Sequence, residues 1–309
     1  MKLTVIIPTY APNAERFRLT LKGMATQCLA DKEWELIVID NASPIPVSED
    51  TIRESFSGNF RLFREETPGL SHARHRGIVE STTDLLVFSD DDNVFAPSYL
   101  TKALELMSTH PKVGVAGGKS LPKFEAQPPN WYIEGMAPLG CRDLGKDALT
   151  LTGEEYATSK LYPEFAPIGA GMIFRKEAVC TWMETVKSGD VPDRKGNSLS
   201  SAGDCDMVLH ALDAGWSAAY WPDFSLHHLL PETRLTKSYL GAISRAAYRD
   251  YIKVLDRHGI RPWNAIAPWT LPLRKSKAWL RNRPWSSPGA FVRWNSAAGN
   301  LEGRASLKG

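Results

Sequence analysis

Short apolar runs alternate with helical patterns over the first 118 residues of the chain. Strands are predicted at Leu3–Ile7, Trp34–Ile39, Phe60–Phe63, Leu85–Phe88 and Val113–Ala116. The runs at 3–7 and 85–88 show no polar alternation, which is typical of strands covered on both faces. Apolar residues at three- and four-residue spacing predict intervening helices near residues 17–28, 69–80 and 97–107. This order predicts an α/β fold with a Rossmann-like, mostly parallel sheet flanked by helices.

The remainder of the chain has a different pattern. Residues 119–170 are rich in proline, glycine and aromatic residues without a regular period, which is typical of a functional loop region. Strand and helix patterns return over residues 172–222. A further helix is predicted over residues 237–258, because an apolar stripe there is followed by Gly259 and Pro262.

Composition places the chain among globular proteins, with 43% hydrophobic and 23% charged residues. Its four cysteines form no CxxC pair and no secretory signal precedes them, so we expect a reducing cytosol and no disulfide framework. The first apolar stretch ends early, at Pro8, which disfavours a signal peptide. No run of about 18 apolar residues occurs, so no membrane span is predicted.

Charge is unevenly distributed although the net charge is only +2. Residues 241–309 carry 13 lysines and arginines against 3 acidic residues, and the preceding part of the chain is acidic. Cations recur every four residues on the predicted helix, at Arg245, Arg249, Lys253 and Arg257, and five of the ten tryptophans follow residue 260. Cations among tryptophans suit an anionic membrane surface. A solvated helix face with a packed tail is the alternative, and the absence of a matching motif disfavours nucleic acid.

Three consecutive acids, Asp90, Asp91 and Asp92, follow the apolar strand at residues 85–88. Ligands of parallel sheets bind beyond the carboxyl ends of the strands. Like charges packed there need a compensating cation. Carboxylate ligands without clustered Cys or His favour Mg²⁺ or Mn²⁺, which typically also bind substrate phosphates. The structural alternative for the triple aspartate is a solvated turn with a helix cap.

Four further polar residues are candidates for the same chemistry. Asp40 ends the second strand, where a carboxylate can accept hydrogen bonds from a base or ribose. No GxGxxG or GxxxxGK[ST] motif occurs, so phosphates would need a metal and cations such as Arg74. Asp204 begins a predicted helix and is either a general base or an acid that complements the helix dipole. His228 is either structural or a metal ligand.

In their order and spacing, these pieces resemble family 2 glycosyltransferases with the glycosyltransferase-A fold. The segments that carry the resemblance are Val5–Tyr10, Glu35–Asn41, Pro68–Ile78, Phe88–Asp92, Gly169–Met172, Gly203–Asp206 and Ala214–Trp216. Together they cover roughly residues 3–240. His75 replaces the usual asparagine of the family, and Gly203 stands where a glutamate is frequent. The second departure leaves one carboxylate fewer beside the expected base.

The resemblance implies roles for individual residues. Those implied to bind the nucleotide are Pro8, Thr9, Tyr10, Asp40, Arg74, Asp90 and Asp91. Those implied to hold Mn²⁺ or Mg²⁺ are Asp92, as the direct ligand of the D-x-D motif, with Asp90 and His228. Asp204 matches the catalytic base, which Asp206 would support.

Sugar contacts are expected at two places in the middle of the chain. The resemblance implies that the backbone of Gly169, Ala170 and Gly171 approaches the donor sugar, since glycine lacks a Cβ atom. Trp131 is a candidate acceptor contact, because aromatic faces suit sugar rings. Packing of a long loop on the core is the alternative for this tryptophan.

The implied reaction is one displacement that inverts the anomeric centre. A divalent cation neutralises charge on the leaving diphosphate, while a carboxylate takes the proton of the acceptor hydroxyl. We expect transfer of one sugar from a nucleotide-diphosphate sugar, UDP-linked, to a lipid-linked glycan in bacterial surface polysaccharide assembly. The alternatives are a sugar-nucleotide-forming nucleotidyltransferase and a non-catalytic nucleotide-sugar-binding protein. The nucleotidyltransferase is disfavoured because Pro8–Pro12 is not a glycine-rich loop.

The same resemblance suggests a domain organisation. Residues 1–236 would form the catalytic domain, with a nucleotide-binding half at 1–118 and an acceptor-binding half at 119–236. Residues 237–309 would form a basic, tryptophan-rich helical extension. The expected partners are the nucleotide-sugar donor, a glycan or lipid-linked glycan acceptor and an anionic membrane surface that residues 241–309 contact. The expected location is cytoplasmic, peripheral at the inner face of the plasma membrane.

Overall fold

The computed structural model describes residues 1–188, residue 199 and residues 202–307. The chain forms two compact units. The first comprises residues 1–123, 140–191 and 207–229, and the second comprises residues 124–139, 192–206 and 230–309. The proposed domain boundary at residue 236 remains a prediction.

The described residues contain nine strands and ten α-helices. The strands are β1 (Leu3–Thr9), β2 (Trp34–Asn41), β3 (Phe60–Glu65), β4 (Leu85–Phe88), β5 (Asn93–Phe95), β6 (Val113–Phe124), β7 (Leu149–Leu151), β8 (Ile173–Arg175) and β9 (Ser217–Leu230). The helices are α1 (Ala14–Ala25), α2 (Glu49–Arg53), α3 (Leu70–Glu80), α4 (Tyr99–Thr109), α5 (Gly153–Ser159), α6 (Cys180–Ser188), α7 (Gly203–Asp213), α8 (Lys237–Arg257), α9 (Leu271–Asn282) and α10 (Pro288–Ser306). Each strand and helix named from the sequence pattern is confirmed within a few residues, except that the strand predicted at Val113–Ala116 extends as β6 to Phe124.

The sheet is mixed, so the expectation of a mostly parallel sheet holds for its first four strands alone. Strands β3, β2, β1 and β4 lie side by side and pair in parallel. Strand β8 then pairs antiparallel with β4 and β6, while β5 and β7 pair antiparallel with β9. A parallel neighbour needs a crossover of a dozen or more residues. The acidic turn between β4 and β5 has only four residues, so β5 cannot pair in parallel with β4 and pairs with β9 instead.

Burial on both faces explains the unbroken apolar runs of the central strands. On β1, Val5 and Ile7 belong to the main core cluster, which also contains Phe17 and Leu21 of α1. The opposite face of β1 packs against α3. A Cβ atom on Gly77 of α3 would lie 2.3 Å from Ile6, so only glycine allows this close approach.

The second unit contains a helical layer formed by α8, α9 and α10. Helix α10 packs against both of the others. A Cβ atom on Gly299 would lie 2.2 Å from the carbonyl oxygen of Arg245, and one on Gly303 would lie 2.9 Å from that of Arg249. These glycines let α10 approach the backbone of α8. Among the described residues, no helix combines the length and the hydropathy that crossing a membrane requires.

A partly buried ion cluster joins the three helices of this layer. The carboxylate of Glu302 accepts hydrogen bonds from Arg245, whose Nε lies 2.9 Å away, and from Lys275, whose Nζ lies 2.7 Å away. Burial alone would raise the pKa of Glu302. The bonds from Arg245 and Lys275 outweigh burial and lower that pKa to about 2.

Other cations of α8 are also paired with acids of the same unit. Arg249 Nε lies 2.8 Å from an oxygen of Asp250, and Arg257 Nη1 lies 3.4 Å from Asp206. Together with Arg245, three members of the expected cationic face are therefore neutralised by neighbouring carboxylates. Because these three charges are neutralised by ion pairs within the unit, α8 is a poor candidate for attracting an anionic surface.

We predict that Glu302→Gln lowers the free energy of unfolding at pH 7. The folded-state pKa of Glu302 lies below its ordinary value of 4.5, so its stabilising effect is present above that pH and is lost as pH falls towards 2. The full shift is discounted for the partial exposure of the side chain, which leaves about 1–2 kcal/mol. Urea unfolding of both proteins at several pH values measures the difference.

The matched control is Glu164→Gln. Glu164 is exposed and forms no ion pair among the described residues, so its loss should change the unfolding free energy by less than about 0.5 kcal/mol. An unfolding difference for Glu302→Gln that stays constant from pH 7 to pH 3 would contradict the ion cluster as its cause.

Candidate active site

A buried carboxylate and imidazole meet where the acidic turn enters β5. The antiparallel register pairs Asn93 of β5 with His228 of β9, and the Leu229 amide donates to the Asp92 carbonyl at 2.8 Å. This pairing brings His228 Nε2 to 3.3 Å from Asp92 Oδ1, with each side chain 6% exposed. Alternation along β9 turns the adjacent His227 outward, so one member of the histidine pair reaches the site.

The imidazole of His228 is oriented from behind by a glycine. Its Nδ1 lies 3.5 Å from the carbonyl oxygen of Gly140. Gly140 has a φ of 71°, and a Cβ atom there would lie 3.2 Å from the ring. A proton on Nδ1 directed at this carbonyl leaves Nε2 facing Asp92. This arrangement is the one that orients histidine ligands in metal sites.

The electrostatics of the pair follow from its burial. Burial alone would lower the pKa of His228, but the charge and hydrogen bond of Asp92 outweigh it, and Cys141 adds a smaller contribution. The pKa of His228 is thereby raised to about 10. An imidazole nitrogen beside a carboxylate oxygen is also a donor set suited to Mn²⁺. The pair therefore fits a divalent cation as two of its ligands, and the cation would replace the proton that the pair otherwise shares.

A buried guanidinium lies on the other side of the acidic turn. Arg74 of α3 is 5% exposed, and its Nη2 lies 3.7 Å from Asp90 Oδ1. Its guanidinium carbon lies 4.9 Å from the ring centroid of Phe88. The Nε atom has no hydrogen-bond partner among the described residues. A buried cation next to an acidic turn is suited to a phosphate or carboxylate ligand.

The glycines expected at the donor sugar have close protein neighbours. A Cβ atom on Gly169 would lie 2.3 Å from Arg74 Nη2. Gly171 has a φ of 73°, its carbonyl accepts a hydrogen bond from the Tyr99 hydroxyl, and a Cβ atom there would meet Tyr99 and Leu226 at 2.6 Å. Packing thus explains both glycines, and their contact with a sugar remains a prediction.

Residues at the end of β1 lie beside the acidic turn. Pro8 is buried within the strand, and the buried Thr9 donates its hydroxyl to an Asp91 carboxylate oxygen. Tyr10 is 49% exposed. This hydrogen bond connects the end of β1 with the turn that follows β4. Ligands were expected at this edge of the sheet, where the carboxyl ends of the parallel strands meet. Ala170, by contrast, is 9% exposed and belongs to the hydrophobic core cluster.

Asp40 fixes the loop that follows β2. It is 2% exposed and accepts hydrogen bonds from the amides of Ser43 at 3.1 Å and Val47 at 3.3 Å. Arg64 Nη1 lies 2.8 Å from its Oδ2. Asp40 therefore holds the loop shape, while its contact with a base or ribose remains a prediction.

The expected base lies in the second unit, in the first turn of α7. Asp204 is partly exposed, and its Oδ1 accepts a hydrogen bond from the Cys205 amide at 2.9 Å. Asp206 is fully buried, with Oδ1 at 3.2 Å from His258 Nε2 and 3.4 Å from Arg257 Nη1. The start of α7 is thus tied to the end of α8. Trp131, in the same unit, lies in a turn and is partly exposed.

Sequence reasoning missed four residues that shape the site. Asn93 is fully buried, donates to Asp92 Oδ1 at 3.3 Å and accepts from the Asp90 amide at 3.1 Å. Gly140 and Cys141 adjoin His228 from the loop region, and no local pattern marks them. Arg64 lies opposite Asp40 in the β2–β3 register. That register would have pointed to Arg64, because opposite charges on paired strands attract.

Comparison with known families agrees with the fold and the motif order. The sequence model described as "Glycosyl transferase family 2" matches residues 4–180, which is more than half of the chain. The chain belongs to glycosyl transferase family 2. The predicted membership is confirmed, and the match includes β1, the acidic turn and the Gly169–Gly171 segment.

Curated relatives share limited identity with this family 2 chain. It is 30% identical to "Succinoglycan biosynthesis protein ExoW" of Rhizobium meliloti over 111 residues, covering 35% of this chain and 34% of that protein. It is 24% identical to "Glycosyltransferase AglE" of Haloferax volcanii over 277 residues, covering 87% of this chain and 80% of that protein. The match thus spans about a third of the ExoW relative.

Solved structures confirm the glycosyltransferase-A fold. The mannosyltransferase PcManGT of Pyrobaculum calidifontis, solved with GDP-Man and Mn²⁺, superposes with a TM-score of 0.56 at 18% identity, covering 94% of this chain and 73% of that one. Residues 1–349 of S. aureus TarS, solved with UDP-GlcNAc, give a TM-score of 0.52 at 16% identity, covering 98% and 90%. At these identities the likeness establishes the fold.

We predict that Asp92→Asn lowers the pKa of His228 in metal-free protein well below about 10, because the main opposing charge is lost while burial still disfavours the charged ring. An NMR titration of the histidine rings measures both values. In the wild type, the pair stabilises the folded protein below about pH 6.5, and this contribution is lost as pH rises through about 10. An unchanged titration of His228 in Asp92→Asn would contradict the pairing.

Proposed function

We propose that this chain is an inverting, metal-dependent glycosyltransferase. It moves one sugar from a nucleotide-diphosphate sugar, UDP-linked, to a hydroxyl of a glycan acceptor. The observation that supports the proposal most is the buried Asp92–His228 pair next to Asp90 and Arg74, in a chain of glycosyl transferase family 2. Such an arrangement offers ligands for a cation and a guanidinium for a phosphate at one turn.

The cation, Mn²⁺ or Mg²⁺, would be held by Asp92, Asp90 and His228. When bound, it supplies neutralisation of the negative charge that builds on the leaving diphosphate. Support comes from the donor set and from PcManGT, whose structure contains Mn²⁺. Gly140 keeps His228 Nε2 directed towards the ligand position.

The nucleotide would lie along the ends of β1, β2 and β4. The residues proposed to contact it are Pro8, Thr9, Tyr10, Asp40, Arg74, Asp90 and Asp91. Arg74 would pair with a diphosphate oxygen, since its buried guanidinium already faces the acidic turn. Support for a nucleotide-sugar donor comes from the GDP-Man and UDP-GlcNAc complexes of the two structural neighbours.

Asp204 would act as the general base. It would take the proton of the acceptor hydroxyl as that oxygen attacks the anomeric carbon, which inverts the configuration in one displacement. Asp206 would support it by holding the first turn of α7, through its contacts with Arg257 and His258. The partly exposed side chain of Asp204 in that turn is consistent with this role.

The sugars would contact the Gly169–Ala170–Gly171 segment on the donor side and Trp131 on the acceptor side. We propose a lipid-linked glycan as acceptor, in surface polysaccharide assembly at the cytoplasmic face of the membrane. Two relatives support this class: the succinoglycan biosynthesis protein, and a "Glucosyl-dolichyl phosphate glucuronosyltransferase" of Haloferax volcanii that is 24% identical over 150 residues.

We predict that Asp204→Asn lowers turnover by about 10²–10⁴-fold, because the general base is lost. Nucleotide affinity should not change, since the substitution keeps the shape of the side chain. Transfer from UDP-, GDP- and dTDP-sugars with Mn²⁺ measures turnover, and calorimetry with the free nucleotides measures affinity. The matched control is Asp147→Asn, at an exposed residue of the loop region. Wild-type turnover in Asp204→Asn would reject the base assignment.

We predict that Gly140→Ala weakens Mn²⁺ binding by about 10–100-fold, the range typical for groups that orient metal ligands. A Cβ atom at 3.2 Å would force the His228 ring to shift by about a few tenths of an ångström and would disturb its alignment with Asp92. Gly145→Ala is the matched control, because Gly145 also has a positive φ, of 92°, but has nothing within 4 Å of an added Cβ atom. Calorimetric Mn²⁺ titration compares the three proteins. Wild-type affinity in Gly140→Ala would contradict the role of Gly140 in orienting His228 as a ligand.

A further inference from the structure

Helix α9 of the second unit exposes an unusual set of apolar side chains. None of its twelve residues is buried. Over residues 269–285 the exposed fractions are 84% for Trp269, 76% for Leu273, 42% for Trp279, 63% for Leu280 and 55% for Trp285. Single exposed apolar residues are normal on protein surfaces. Five of them within 17 residues form a patch of the kind that marks an interaction surface.

The solvent-exposed face of α9 carries both apolar side chains and cations. Leu273, Lys277 and Leu280 are spaced four and three residues apart, so they lie on one face. Arg274 and Arg281 flank that face on one side. On the opposite side, residues 271, 275, 278 and 282 are half-buried, in a helix that packs against α10. The outward face therefore carries leucines bordered by cations, whereas an ordinary surface helix would carry polar side chains there.

The positive charge of this region is not neutralised within the described part of the chain. No acidic residue occurs between Asp256 and Glu302. Glu302 pairs with Lys275 on the half-buried side of α9. Five further cations of this stretch form no ion pair among the described residues: Arg274, Lys277, Arg281, Arg283 and Arg293. Three of these five, Arg274, Lys277 and Arg281, lie on α9, and Arg283 follows it directly.

We propose that α9, with Trp269 before it and Trp285 after it, lies flat on an anionic lipid bilayer. Leu273 and Leu280 enter the boundary of the acyl chains, and the cations bordering them contact lipid phosphates. Basic helices with exposed leucines on one face bind membranes in this manner. Tryptophan rings favour the headgroup level, and Trp279 and Trp285 already contact each other with ring centroids 4.3 Å apart.

Length and chemistry both favour this occupant. Twelve helical residues extend about 18 Å, which is shorter than the roughly 30 Å hydrocarbon core, so α9 lies in the membrane plane. A nucleic acid would pair with the cations and stack on the tryptophans, but it would leave Leu273 and Leu280 in water. A bilayer accommodates all three kinds of side chain. The inference deepens the proposed function by giving the enzyme a place at the surface that holds a lipid-linked acceptor.

Vesicle sedimentation tests the proposal without any sugar donor, so a failure here is distinguishable from a failure of the proposed transfer reaction. The full chain is mixed with vesicles of phosphatidylcholine, with or without phosphatidylglycerol, at low and high salt. We expect pelleting with the anionic vesicles and little with the neutral ones. Binding should fall at high salt, where the screening length shortens from about 10 Å at 0.1 M to about 3 Å at 1 M.

Two double variants separate the apolar and the charged contributions. Leu273→Ser/Leu280→Ser removes the leucines, and Lys277→Glu/Arg281→Glu reverses two cations. Each should lower the vesicle-bound fraction by about fivefold or more, because apolar area and charge both contribute to interfacial binding. The matched controls are Ile45→Ser/Leu161→Ser, which removes two exposed apolar side chains of the first unit, and Lys112→Glu/Lys146→Glu, which reverses two exposed cations there. Both controls should bind like the wild type.

Three outcomes would overturn the proposal. The wild-type chain staying in the supernatant with anionic vesicles would exclude a bilayer contact. Equal binding of the α9 variants and the wild type would place the contact elsewhere. Retention by a single-stranded oligonucleotide in a filter assay, without vesicle binding, would assign the surface to a nucleic acid. Circular dichroism of each variant verifies that the fold is intact.

Discussion

The contact between Asp92 and His228 is the interaction on which the rest of the site depends. Neither side chain is placed by its own element alone: Asp92 follows a parallel strand, and His228 lies within the 14-residue antiparallel strand β9. Burial makes an isolated charge at either position costly, so the two groups must compensate each other or share a cation. The same pair therefore stabilises the fold as a proton-bound contact, and under the proposed function it would also provide two ligand atoms for a metal.

The sheet topology explains why the polar groups gather at this turn. Strand β4 is parallel to β1 on one side and antiparallel to β8 on the other, and the acidic turn follows directly from it. The strand order β3-β2-β1-β4 also reverses between β1 and β4, and ligands of open α/β sheets bind at such a point of reversal. Thr9, at the end of β1, donates a hydrogen bond to Asp91 of the turn. Arg74, in the first half of α3, lies beside Asp90 of the same turn.

In the second unit, ion pairing decides which surfaces remain available. Acids of α8 and α10, together with Asp206, pair with three cations of α8, namely Arg245, Arg249 and Arg257. Helix α9 has cations without such partners among the described residues, and its leucines are left in solvent. A count of basic residues from 241 to 309 treats both helices alike, whereas the pairing separates them. Charge balance thus directs the proposed membrane contact to one helix of the three.

The sequence by itself determined the strands and helices of the first 118 residues and the family, because apolar runs and motif order are local properties. It also identified Asp90, Asp92 and Asp204 as candidates. The tertiary structure decided the rest. Strand register selected His228 over His227 and placed Arg64 opposite Asp40. The loop that carries Gly140 orients the imidazole of His228. Close packing against Arg74 and Tyr99 explains why glycine occupies positions 169 and 171 without any contact with a sugar. Each of these depends on contacts between residues far apart in the chain, which no local pattern records.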